Sequence, residues 1–259
     1  SGRTLTFMGA GNFIISGVIS NAGGYAVSLV KSNSGVLTLN GANTYTGATT
    51  ITAGTLAGVG TIAGAVTIAP GAILAPGDDA IGTLTINNAL TNNGTCLMRL
   101  NRSAGVLTND NIKGVSTLVF GGALQLQLSG DPITVSNSFK LFSATTYRGA
   151  VTSISPTVPG TNLLWDTSSL AANGTLSVSL GSVKPQLGGC LVAGSDLLLS
   201  GGGGAAGYGV SVLSSTNLTL PLTNWSLAAT GVCDGNGSFI VTNGLSSIGG
   251  GRFFVIRIP

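Results

Sequence analysis

The sequence contains no histidine and no glutamate, so its seven acidic residues are all aspartates. Only 7% of its residues are charged, against about 25% in an average globular protein. Without His or Glu, the sequence excludes His-dependent catalytic triads, His-based metal sites and most general acid–base pairs. We therefore predict that the protein is not an enzyme, and we expect no catalytic residue, no metal site and no cofactor.

Clustered positive charge and long apolar segments are also missing. The ten Lys and Arg residues are dispersed along the chain, and the net charge is only +3. Nucleic-acid binding, which uses clustered basic residues, is not expected. No apolar run reaches the roughly 18 residues of a membrane span, so we predict no membrane span. The first residues lack the features of a signal peptide, so a secreted protein would be a processed or truncated form.

Glycine and short alternating segments are abundant instead. The chain has 42 glycines, and 43% of its residues are hydrophobic. Segments such as 36–39, 65–68, 82–86 and 124–128 alternate apolar and polar residues, which is typical of half-buried strands. Strong helix formers are scarce. The composition and the two-residue period together predict an all-β protein.

Strand length and corner composition predict a β-solenoid in the first part of the chain. Between Gly35 and Asn88 the predicted strands have three to five residues, and small corners such as Ala53-Gly54 and Ala63-Gly64 separate them. Such corners suit a parallel β-helix whose coils stack through parallel hydrogen bonds. With roughly 20 residues per coil, the first 120 residues would form about six coils. We predict this β-solenoid over residues 1–183, with a wider closing sheet from about residue 116.

Several segments carry a family resemblance. Residues 35–56, GVLTLNGANTYTGATTITAGTL, resemble the autotransporter-associated β-strand repeat of secreted bacterial passenger proteins. Residues 73–86 resemble the proline-glycine turn and strand that follow this repeat, and segments between 110 and 176 resemble the part that closes such passengers. The resemblance implies a secreted or cell-surface β-helical stalk and implies no catalysis.

A second module is predicted over residues 184–259. Its predicted strands are longer and recur every 10 to 15 residues or so, which favours a small β-sandwich of the fibronectin III or immunoglobulin kind. The segments 215–225 and 234–239 and the last seven residues resemble a C-terminal module found in the same repeat proteins. The chain is therefore expected to be all-β, with a parallel β-helix followed by a sandwich.

Few side chains suggest chemistry. Asp78 and Asp79 are the only adjacent acids, and the preceding Pro76-Gly77 favours their interpretation as turn residues over a calcium or catalytic site. The aromatic residues Trp165, Tyr208 and Trp225 either form a sugar-stacking surface or anchor the core.

The three cysteines leave an odd thiol. Cys190 and Cys233 fall in the same predicted module and are the favoured disulfide pair. The alternative is that Cys96, Cys190 and Cys233 are all small buried hydrophobic residues.

These observations lead to competing functional hypotheses. The first is a secreted structural protein that self-associates end to end into an extracellular fibre, filament or surface layer. The alternative is an adhesin-type passenger stalk or carbohydrate-binding module that contacts a cell-surface or extracellular polysaccharide. The compact corners argue against a third hypothesis, a β-helical polysaccharide-active enzyme.

The last strand is the predicted assembly element. It is apolar on both faces, so it is expected either to cross into a neighbouring subunit or to lie inside its own sandwich. The N-terminal strand at 4–8 is the other candidate for such an exchange. The predicted assembly residues are Phe253, Phe254, Val255, Ile256 and Ile258.

Overall fold

The computed structural model describes residues 2–181, 185–204, 207–244 and 251–257. The chain divides into two compact units, Ser1–Ser179 and Leu180–Pro259. The predicted boundary between residues 183 and 184 falls outside the described residues and stays a prediction.

The first unit consists almost entirely of short strands. In chain order they are β1 (Arg3–Phe7), β2 (Phe13–Ile15), β3 (Val27–Lys31), β4 (Val36–Leu39), β5 (Ala42–Asn43), β6 (Thr49–Ile51), β7 (Thr55–Gly58), β8 (Thr61–Ile62), β9 (Val66–Ile68), β10 (Ile73–Pro76), β11 (Thr83–Ile86), β12 (Leu90–Asn92), β13 (Thr95–Ser103), β14 (Val106–Asn109), β15 (Asn111–Phe120), β16 (Ala123–Gly130), β17 (Ser138–Lys140), β18 (Phe142–Gly149), β19 (Ser153–Ser155), β20 (Leu163–Asp166) and β21 (Thr175–Leu180). A single helical turn, α1 (Leu170–Asn173), precedes β21.

Successive coils stack in parallel. One sheet has the order β1-β3-β6-β9-β12-β15-β11-β8-β5, and a second has the order β19-β16-β13-β10-β7-β4-β2. Within the second sheet β4 lies between β2 and β7 and pairs in parallel with both, which confirms the predicted parallel stacking of Val36–Leu39. This arrangement is consistent with the predicted β-solenoid.

The coils lengthen along the chain. Thr49 pairs with Val66, 17 residues later, whereas Leu90 pairs with Leu118, 28 residues later. In the described part, turns beginning at β1, β3, β6, β9 and β12 precede the end of β15, so five coils replace the six predicted for the first 120 residues. The estimate was wrong because it applied the spacing of the shortest coils to the whole stretch.

Inward-facing side chains form continuous ladders. Register pairs Phe13, Leu37, Leu56, Leu74, Cys96, Leu124 and Ile154 one above the next. From Leu37 to Leu124 these side chains are buried in the core of the first unit. Each coil therefore stabilises its neighbours by removing the same apolar positions from water.

A separate small sheet closes the core at the end opposite β1. It has the strand order β17-β21-β20, and α1 lies between its last two strands in the chain. Phe139, Leu170, Leu176 and Val178 from these elements are buried in the same core as the coils.

The second unit is antiparallel. Its strands are β22 (Gln186–Ala193), β23 (Asp196–Gly202), β24 (Gly209–Ser215), β25 (Ser226–Val232), β26 (Phe239–Gly244) and β27 (Phe253–Arg257), and a 3₁₀ turn spans Leu222–Asn224. They form two sheets of order β22-β23-β26 and β25-β24-β27. Leu197, Leu199 and Phe239 of the first sheet and Val210 and Val212 of the second share one core. The assignment to the fibronectin III or immunoglobulin kind stays a prediction.

No helix in these described residues is long and apolar enough to cross a membrane.

Candidate assembly surfaces

The first coil leaves one edge of the solenoid open. Within the described part of the chain β1 pairs only with β3, and β2 pairs only with β4. The outer edges of both strands therefore present backbone N–H and C=O groups, which favour pairing with a further strand. We refer to this surface, formed by residues 3–19, as the coil edge.

The core is exposed at the coil edge. Leu5 is aligned with Leu29 in the neighbouring strand, but Leu5 is 39% exposed whereas Leu29 is fully buried. The cause is that Leu29 has strands on both sides and Leu5 has one only. Ile14 and Val18 are also exposed here. The coil edge thus combines open backbone groups with an apolar surface.

Glycines at the coil edge match glycines that allow close stacking inside the solenoid. A Cβ added at Gly41 would overlap the carbonyl oxygen of Gly17, and one at Gly35 would overlap that of Gly11. A Cβ added at Gly11 or Gly17 would meet nothing within 4 Å. The first coil therefore has the same small residues at its corners as the coil above it, although no described segment lies beneath them.

The predicted assembly strand lies in a sheet of its own unit. Phe253 to Arg257 form β27, which pairs with β24 at one edge of the second sheet. Phe254 and Ile256 pack against the second core, Val255 is half-buried and Phe253 is exposed. Ile258 lies outside the described residues. The strand's transfer to a neighbouring subunit stays a prediction, and the structure places Phe253–Arg257 within the same chain.

The predicted disulfide is not formed in the structure. Cys96, Cys190 and Cys233 are all free thiols, with Cys190 exposed and the other two buried. Burial, followed by the charge of Asp110, raises the pKa of Cys96. Burial, followed by the charge of Asp234, raises that of Cys233. Cys190 is therefore the accessible thiol among the three.

The two adjacent aspartates lie in a turn. Asp78 accepts a hydrogen bond from the Asn40 side chain at 2.7 Å, and Asp79 adopts a left-handed backbone conformation with φ of 60°. No group of three or more metal-ligating side chains occurs within residues 2–181, 185–204, 207–244 and 251–257.

The three aromatic residues act mainly as packing groups. Trp165 packs against the first core and Tyr208 against the second. The Trp165 indole donates a hydrogen bond to the Pro156 carbonyl at 3.0 Å, and that of Trp225 donates to the Leu220 carbonyl at 3.0 Å. These contacts favour the interpretation of Trp165 and Tyr208 as anchors.

Sequence analysis missed a buried ion pair. Asp110 is fully buried and accepts hydrogen bonds from the backbone of Gly82 at 2.8 Å and of Arg99 at 2.8 Å. The Arg99 Nε atom lies 2.9 Å from the same carboxylate, and Arg99 also donates to the Pro76 carbonyl. The pair links three coils. No sequence signal indicated it, because Arg99 and Asp110 belong to different strands with a hairpin between them.

A shallow groove of about 340 Å³ lies beside this ion pair. Small or apolar side chains, including Thr55, Ala57 and Ala75, line it together with the polar residues Asp79 and Gln127.

The comparisons with known proteins locate one repeat. The family model described as Passenger-associated-transport-repeat matches residues 29–57, from β3 to β7. This repeat suggests a secreted or cell-surface protein of the passenger type. A search of curated proteins and a search of solved structures each find no match to the chain.

Proposed function

We propose that this chain is a secreted structural protein of the passenger type, a subunit that associates end to end in an extracellular fibre, filament or surface layer. The observation that carries the proposal is the coil edge, where an incomplete coil exposes both backbone groups and core side chains. The match of residues 29–57 to a passenger repeat supports the extracellular assignment.

Association at the coil edge is physically favourable for two reasons. It would satisfy the open backbone groups of β1 and β2, and it would bury apolar side chains such as Leu5 and Ile14. The chain's low charge, 7% of residues, also limits the electrostatic repulsion between copies. The closing sheet covers the opposite end of the coil stack, so the coil edge is the end of the solenoid best suited to contact a neighbour.

The experiment is sedimentation velocity on the wild-type protein and a Gly17→Ala variant. A methyl group at residue 17 has room within the isolated chain, but it would obstruct a neighbour that stacks as closely as Gly41 stacks on Gly17. We expect large assemblies for the wild type and their loss in Gly17→Ala, with an unchanged circular dichroism spectrum.

The matched control is Val106→Asp, which adds a charge at an exposed position in β14, away from the coil edge. It should assemble like the wild type. If Gly17→Ala assembles as readily as the wild type, contact through the coil edge is wrong.

The second unit is assigned in this proposal to the sandwich class. Two antiparallel sheets with one shared core support that assignment.

The groove beside Arg99 favours a second candidate function, an adhesin-type stalk that binds polysaccharide. Its polar rim of Asp79 and Gln127 and its floor of small side chains suit a hydroxylated, uncharged ligand. Titration of soluble extracellular polysaccharides by calorimetry tests this candidate. Binding by the wild type that is lost in Gln127→Ala would support it, and heat changes equal to those of dilution would rule it out for the sugars tested.

A further inference from the structure

Strand β22 occupies an open edge of the second unit. It pairs with β23 on one side, and β23 in turn pairs with β26. No described strand pairs with the other side of β22. Apart from an irregularity between Leu187 and Gly189, its residues pair in unbroken register, so Gly189–Ala193 forms a regular edge.

The side chains of β22 are exposed on both faces. Leu191 is 64% exposed and Val192 is 60% exposed, although successive residues of a strand point to opposite faces. No side chain of β22 belongs to the described core of its unit. The edge strand β25 differs, because its Ala228 and Ala229 pack against that core. Strand β22 is therefore attached through its backbone ladder to β23, with little side-chain packing.

The composition of β22 favours further pairing. Its sequence, QLGGCLVA, contains no charged residue and no proline, which are the residues that usually protect edge strands from association. Adding a strand at this edge would satisfy its backbone groups and remove Leu191 and Val192 from water.

We infer that β22 is a self-pairing surface, at which β22 of a second copy of this chain adds in antiparallel orientation about a twofold axis. A second copy is the occupant that the strand's own chemistry favours. The strand carries no charge, so identical strands place no like charges opposite one another. Sheet β22-β23-β26 is antiparallel throughout, and an antiparallel partner continues the same ladder.

This contact goes beyond the coil edge and does not depend on it. Pairing of identical strands is isologous, and by itself it yields a closed dimer. A subunit with a contact of this kind in its second unit and another at the coil edge has two separate interfaces, which is the minimum that an open fibre requires.

Cys190 provides a native reporter of the pairing. It is exposed and lies in the regular part of β22, so antiparallel pairing brings the Cys190 thiols of two copies close together. A short bismaleimide added to the dilute wild-type protein should give a covalent dimer. Cys190→Ser should abolish that dimer. The double variant Cys190→Ser with Val106→Cys, which carries an exposed thiol in the first unit, measures the level due to random collision.

The decisive variants are Leu191→Asp and Leu191→Lys in the wild-type background. Each alone places like charges near one another at the twofold axis, so each should reduce cross-linking to the collision level. An equimolar mixture should restore it, because opposite charges then meet. The same two substitutions at exposed Leu227 in β25 are the matched control and should leave cross-linking unchanged.

The inference is overturned if the wild type cross-links no more than the collision control, if either single Leu191 variant cross-links as well as the wild type, or if their mixture fails to recover. Gly17→Ala separates this contact from the coil edge. It should keep the Cys190 cross-link even where it abolishes assembly, and Leu191→Asp should leave contact at the coil edge intact.

Discussion

At the scale of single residues, the polar groups inside the solenoid have the largest consequences. Asp110 has a buried carboxylate that accepts hydrogen bonds from Gly82 and Arg99, whereas Asp78 lies in a turn and accepts one from Asn40. Removing one partner of a buried pair leaves the other charge without compensation, which is far more costly than losing a turn hydrogen bond.

Asp110→Ala should therefore lower the free energy of unfolding by about 3 kcal/mol, measured by urea denaturation. The double variant Asp78→Ala with Asp79→Ala should change the same quantity by no more than about 1 kcal/mol and leave assembly intact. A calcium-dependent melting shift that disappears in the double variant would contradict the assignment of Asp78 and Asp79 as turn residues.

Lys31 is the second buried charge. Its Nζ atom donates to the carbonyls of Ser32 at 2.7 Å and Asn33 at 2.6 Å, and burial lowers the pKa of Lys31 below its usual 10.5. Between the lowered value and 10.5 the unfolded chain binds a proton that the folded chain has lost. The unfolded state then binds more protons, so this residue makes stability rise with pH across that window.

Lys31→Met should remove that contribution. Urea denaturation at a series of pH values from 8 to 10 should show the wild type gaining stability relative to Lys31→Met as pH rises. Lys113→Met, at an exposed lysine, is the matched control. A constant difference between the wild type and Lys31→Met at every pH would show that Lys31 does not titrate in this window.

At the scale of elements, glycine position decides how closely coils approach. Gly41→Ala would drive a methyl group into the Gly17 carbonyl, and overpacking of this kind destabilises by about 2 kcal/mol. Gly17→Ala adds the same methyl group in open space and should change stability by less than about 0.5 kcal/mol. Thermal or urea unfolding of both variants checks this. Equal effects would mean that coil stacking is not as close as the structure shows.

Much of the element order was predictable. The alternation in Val36–Leu39 and the small corners around Ala53-Gly54 indicated short parallel strands, and the structure has β4 and β7 in that arrangement. The double role of β15 was not predictable. Its first residues stack on β11 and its last on β12, which depends on coil shape and not on the period of its side chains.

The predicted sites depended on proximity that the sequence does not specify. Cys190 and Cys233 belong to one module, but one lies on an edge strand and the other in the core. The terminal strand is apolar on both faces, yet β24 already pairs with it within the chain. The coil edge was anticipated only in outline, as a solenoid end without a cap, because relative exposure of Leu5 and Leu29 requires the stacked coils.

At the scale of the whole molecule, the account's central claim is that these coils build an extracellular assembly through the coil edge. Added charge within that surface should oppose it. Leu5→Asp places a carboxylate among the apolar side chains of the first coil, where desolvation on contact is unfavourable. Because Leu5 is already partly exposed, the variant should retain the fold.

The most direct measurement is electron microscopy of the purified wild-type protein beside Leu5→Asp over the same range of concentrations. The account predicts filaments or extended arrays for the wild type and isolated particles for Leu5→Asp. Isolated wild-type particles at every concentration, or filaments equally abundant in Leu5→Asp, would contradict it.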